Sequence, residues 1–171
     1  MTATSNQILT DFQDESETLV KEILTLLEEC EGNFSQVKRL EKFGQIVDRI
    51  MGGAKSLISE SGSKAAILQR IADVSGLCKA VGYKSSQIKE ESFYLAAVAI
   101  LFDATETLRD LITCLKTNAE PKPFAGTLVE RLRWISSKFG DEYSDSVDVH
   151  SGKKQKMNQD DIDELMKKMG L

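Results

Sequence analysis

Apolar residues recur at helical spacing along most of the chain. The first stripe places Leu9, Phe12, Leu19, Ile23, Leu26 or Leu27 and Cys30 at steps of three, four or seven, which marks one face of an α-helix. Gly32-Asn33, residues that tolerate positive φ, ends it. A second helix is expected from Ser35, as N-cap, to about Ser59, with Val37, Leu40, Phe43, Val47, Ile50, Ala54 and Leu57 on a single face. Glu60-Ser61-Gly62-Ser63 breaks the pattern. A third helix carries Ile67, Ile71, Val74, Cys78 and Val81, with Gly82 where a C-cap falls.

After a polar turn, Lys84–Lys89, the segment Ser92 to Lys116 is the most apolar of all. Its first half, Phe93–Phe102, is hydrophobic all round and is expected to be the central, buried helix. Leu108, Leu111, Ile112 and Leu115 continue it as one face. Asn118 to Pro123 forms a loop, and a fifth helix aligns Phe124, Leu128, Leu132, Ile135 and Phe139, with Trp134 beside that stripe. Connections of about two to eight residues and the absence of internal repeats predict an all-α fold. The expected architecture is an antiparallel helical bundle of about five helices over residues 1–140, plus a tethered short C-terminal helix.

The pattern changes after Gly140. Residues 141–156 are acidic, then basic, with almost nothing to bury, and are expected to be a flexible linker in which His150 is simply solvated. Residues 157–171 regain helical spacing, with Ile162, Leu165, Met166 and Met169 on one face. Asn158 suits the N-cap, Asp160 and Asp161 the positive end of the helix dipole, Lys167 and Lys168 the negative end, and Gly170 the close. So short a helix is marginal alone. It can fold back on its own bundle, or present its anchors to a groove on a partner.

Composition narrows the chemistry. The 171 residues include two prolines and 6% aromatics, poor material for a turn-rich β-sandwich and good material for long helices. One histidine excludes His-pair metal sites, and Cys30, Cys78 and Cys114 lie far apart on apolar faces, as small core residues in a reducing cytosol. A net charge of −5 argues against a nucleic-acid or anionic-membrane surface. The Met1–Gln7 start lacks a signal-peptide pattern, and the longest apolar run, ten residues, is roughly half a membrane span. A cytoplasmic protein with no membrane segment is therefore expected.

The tail resembles the C-terminal peptide of the CheZ family of chemotaxis phosphatases, which has the form N/S-Q-D-x-[IV]-D-[DE]-L-[LM]-x-x-[LM]-G-[FL]. Asn158, Gln159, Asp160, Ile162, Asp163, Glu164, Leu165, Met166, Met169, Gly170 and Leu171 stand at those steps, over about fourteen residues after a polar linker. The resemblance implies a CheY-like response regulator, phosphorylated on aspartate, as partner, and makes residues 157–171 the segment that binds it. Homodimerisation would follow by analogy with that family.

The second helix resembles the family's active helix, D-x-x-G-Q-[VI]-[IV]-x-R-M-M, through Glu41, Gly44, Gln45, Ile46, Val47, Arg49 and Met51, with Glu41 in place of the aspartate. Glu41 and Gln45, one turn apart, share a face beside the apolar stripe, and Asp48 and Gly52 extend it. The resemblance implies that Gln45 positions the attacking water and Glu41 pairs with the receiver's lysine. The magnesium ion, Mg2+, would belong to the receiver, so no cofactor or metal site is expected in this chain. A plainer reading is a solvated helix face, with Gly52-Gly53 serving packing. In the family this helix is followed directly by linker and tail, whereas here three more helices intervene. An Asp11-Phe12-Gln13-Asp14 stretch also matches a family element, but Thr18 stands where a glutamine would be needed.

Arg49-Ile50-Met51-Gly52-Gly53-Ala54-Lys55-Ser56-Leu57 also resembles the H-x-x-K-G-x-A segment of histidine phosphotransfer domains, with Arg49 at the place of the phosphorylated histidine. That likeness implies a module that docks a receiver without relaying phosphate.

Overall fold

The computed structural model describes the backbone of residues 3–140, 143, 146–147, 154–155 and 159–168, and the side chains of residues 6–140, 143 and 163–167. Helix α1 (Ala3–Cys30) is followed by α2 (Leu40–Leu57), α3 (Ala65–Ser85), α4 (Glu91–Thr117) and α5 (Gly126–Lys138). Beyond them lie two two-residue strands, β1 (Ser146–Val147) and β2 (Lys154–Gln155), and helix α6 (Gln159–Lys168).

Cross-helix contacts fix the topology. Glu22 pairs with Lys42 at 2.8 Å and Glu15 with Arg49 at 2.7 Å, so α1 and α2 run antiparallel. Asp48 meets Lys79 at 2.9 Å while Met51 lies against Gly76, which orients α3 against α2. Lys64 near the start of α3 donates to the Leu115 carbonyl near the end of α4 at 3.2 Å. Buried Gln13 donates to the same carbonyl at 3.2 Å, and the Tyr94 hydroxyl caps the Cys30 carbonyl at 2.6 Å, closing α4 back on α1. The result is an up-down-up-down bundle in which α1, α2, α3 and α4 form a closed square. Its centre is filled by side chains such as Ile23, Leu27, Phe43, Leu68, Leu101 and Leu108, all essentially inaccessible. Each is worth about 1.5–3 kcal/mol of burial.

Helix α5 is laid on the outside of α4. Arg131 pairs with Asp103, and Phe93 packs edge-on against Trp134 at 6.0 Å between ring centroids. Helix α6 lies against α3 and also touches α5.

The all-α bundle agrees with the sequence pattern, and three local expectations are corrected. Residues 34–39 form a 3-10 helix before α2, and Ser35 caps nothing. Its hydroxyl donates instead to the Asn33 side chain at 2.6 Å. Gly82 lies inside α3, which continues to Ser85, so Lys84 is helical and buried rather than part of a polar turn. The start of α4 is not buried all round, because α4 is a corner of the square and turns Leu95, 43% exposed, and Ala99 outward. Within the segment expected to be a flexible linker, Ser146 pairs with Gln155 and Val147 with Lys154 in an antiparallel bridge. His150 lies outside the described residues.

Cys30 and Cys78 are buried and Cys114 is half-buried, each as a free thiol. Burial pushes the Cys78 thiol up to about 12 and raises that of Cys30, so neither offers a reactive thiolate near neutrality. No described helix is long and apolar enough to cross a membrane.

Candidate functional site

Phe43 and Gly44 of α2 face Gly82 and Tyr83 of α3, and each aromatic ring fills the space that a side chain on the opposite glycine would need. A Cβ on Gly82 would stand 2.5 Å from the Phe43 ring and 3.3 Å from the Gly44 amide nitrogen. A Cβ on Gly44 would stand 2.7 Å from the Tyr83 ring. This reciprocal lock draws the two backbones together and fixes the rotation of α2. It therefore decides which way the next residue, Gln45, points.

Gln45 is exposed and Glu41, one turn earlier, is half-buried. Neither makes a hydrogen bond or ion pair among the described residues. Asp48, one turn further on, is committed to Lys79 at 2.9 Å. Tyr83 lies beneath this face, and its hydroxyl pKa is raised, first by burial and then by the charges of Asp48 and Glu41. The phenol therefore stays protonated close to both carboxylates. The sequence-predicted pair is thus presented together, beside a Lys79–Tyr83 flank that sequence reasoning missed. The only trace of that flank in the sequence is the inverted match of Phe43-Gly44 with Gly82-Tyr83.

The other α2 features separate cleanly. Gly53 serves packing, since a Cβ there would stand 2.8 Å from the Phe12 ring of α1. Gly52 faces open space. Arg49 is exposed and held by Glu15 at 2.7 Å. In the Asp11–Asp14 stretch, Phe12 and Gln13 are buried, so that glutamine belongs to the core.

The tail residues are not gathered with Gln45. Leu165 and Met166 of α6 rest on α3, and Met166 is 4% exposed. Asp163 and Glu164 are exposed. Gln159, Asp160 and Ile162 fall within α6, with side chains outside those described, and Asn158, Met169 and Leu171 lie outside the described residues. Of the two uses open to the tail, the structure therefore places it folded back on its own bundle. Leu165 lies close to Met51, which is six residues from Gln45, or about 9 Å along α2.

The chain matches no family model, no curated protein and no solved structure. Among the described residues no group of three or more His, Cys, Asp or Glu side chains could hold a metal ion.

Proposed function

We propose that this chain binds a CheY-like response regulator through its C-terminal helix and promotes hydrolysis of the receiver's aspartyl phosphate. The observation that carries this reading is the C-terminal pattern running from Asn158-Gln159-Asp160 through Leu165-Met166 to Met169-Gly170-Leu171. The reaction is supported by Glu41 and Gln45, one turn apart on an outward face, with neither side chain engaged elsewhere among the described residues.

The receiver brings its own Mg2+ and lysine to the transferring phosphoryl group, so the main task left is to place the attacking water. The neutral amide of Gln45 can both donate to and accept from that water without adding negative charge beside the phosphate. Attack at phosphorus breaks the bond to the aspartate oxygen and yields inorganic phosphate and a free carboxylate. Glu41 pairs with the receiver's lysine and holds α2 in register. Asp48 is less suited to that role because Lys79 already neutralises it.

Gln45→Ala is expected to leave receiver binding intact and to remove the acceleration of phosphate release, a loss of about a hundredfold if water placement is its role. A second reading, a non-catalytic adaptor or pseudo-phosphotransfer module, is favoured by Arg49. Its guanidinium stands where a phosphorylatable imidazole would be needed and is occupied by Glu15. Wild-type chain that binds the phosphorylated receiver without hastening its decay would establish the adaptor and end the phosphatase reading.

A further inference from the structure

The side chains expected to anchor α6 on a partner already have a seat. A methyl group added to Gly76 of α3 would stand 3.5 Å from Met51 Sδ and 3.7 and 3.9 Å from the two terminal methyls of Leu165. Leu165 and Met51 thus converge on a glycine of α3 whose missing side chain leaves room for both. Met166, the next residue, is buried at 4% exposure, while Asp163, Glu164 and Lys167 face solvent.

We infer that α6 is an intramolecular latch: its seat on α3, with α5 alongside, holds Leu165 at Gly76 and Met51 and keeps Met166 buried in the free chain, and a partner that takes those two side chains must first displace them. The seat is a property of this chain alone. Only the identity of the competing partner rests on the response-regulator reading above.

The geometry makes the latch releasable. Helix α6 has ten residues, too few to be stable without a surface to lie on. The square of α1 to α4 closes without it, so its departure uncovers the apolar surface that buries Met166 and leaves the contacts among the four helices in place. Twenty residues separate the end of α5 at Lys138 from the start of α6 at Gln159. With Phe139 buried on the bundle and the β1–β2 bridge touching α3, this connection keeps a displaced α6 close to its seat. A partner's apparent affinity is then reduced by the fraction of time the latch is closed.

Backbone amide exchange in the full chain, with no receiver present, tests the latch. Amides of residues 163–167 should be protected in wild type and in Gly76→Ala, whose methyl meets only ordinary contacts. They should exchange at least about tenfold faster in Gly76→Leu, whose side chain needs the space of Leu165, while α2 and α3 stay protected. If Gly76→Leu disturbs α2 or α3, the double variant Leu165→Asp, Met166→Asp, which alters the tail alone, should release α6 in the same way. Wild-type α6 amides that exchange like an unstructured peptide would overturn the latch. So would variants that leave them as slow as in wild type.

Titration with a CheY-like receiver activated by beryllium fluoride tests the competition. Gly76→Leu should bind about tenfold more tightly than wild type, and equal affinity would overturn the competition. If neither chain binds, the receiver reading falls and the exchange result alone decides the latch.

Discussion

Helix α3 meets α2 at Gly82 and α6 at Gly76, and the two glycines serve opposite ends. At Gly82 the Phe43 ring sits where a Cβ would be, 2.5 Å away, and Tyr83 returns the same contact on Gly44. At Gly76 the neighbours stand 3.5 Å or more from that position. The first contact is a jammed, two-way lock inside a closed core, and it fixes α2 so that Gln45 and Glu41 are presented outward. The second is a looser rest for a ten-residue helix that, among its described side chains, buries Met166 and part of Leu165. A glycine can therefore build either a permanent joint or a releasable one, depending on how much of the vacated space its partner takes.

Several substitutions can break or sharpen that contrast. The largest effect should come from Phe43→Ala, which empties the lock and should cost about 3–5 kcal/mol in urea denaturation. Next comes alkaline pH, which acts on a buried thiol and a buried phenol of the bundle. The Cys78 thiol is pushed from 9.0 up to about 12 by burial, and the Tyr94 hydroxyl is raised chiefly by burial. Both groups hold their protons more tightly folded than unfolded. Their contribution is complete below about pH 9 and is lost as pH climbs toward 12, by roughly 3 kcal/mol near pH 11. Cys78→Ala should flatten part of that decline.

Gly82→Ala should follow at about 1–3 kcal/mol, because backbone at Gly44 as well as the Phe43 ring must give way. Gly76→Ala should instead be neutral or stabilising by up to about 1 kcal/mol, since the methyl has room and alanine favours helix. Equal costs at the two sites would erase the distinction between lock and rest. The smallest effect on global unfolding, below about 1 kcal/mol, is expected from Met166→Ala, because opening α6 is a local event that precedes loss of the bundle. A core-sized loss there would make α6 an integral wall of the fold.

Much of the architecture was legible in the spacing of apolar residues. The stripes of α1, α2 and α4 locate the buried face of each helix, and the position of Gln45 beside the α2 stripe foretold its exposure, while Glu41 is half-buried. What the spacing could not carry was tertiary context. Gly82 has the local signature of a helix stop, yet α3 runs through it because Phe43 needs the missing side chain. Phe93–Phe102 has the composition of a central helix, but every helix in a four-cornered square has an outer side, and Leu95 occupies it. Lys79 and Tyr83 flank the candidate site from a different helix, where no sequence motif joins them to Gln45. The tail's apolar face was evident, but periodicity cannot tell a groove on a partner from one on α3.

The central claim is that the face bearing Gln45 hastens loss of phosphate from a receiver captured by the tail. A phosphate-release time course with a phosphorylated CheY-like receiver tests it most directly, run with wild-type chain, with Gln45→Ala and with no addition. Release should be fast with wild type, and should run at the receiver's own rate with Gln45→Ala although the variant still binds. Wild-type chain that binds the phosphorylated receiver and leaves its decay unchanged would contradict it.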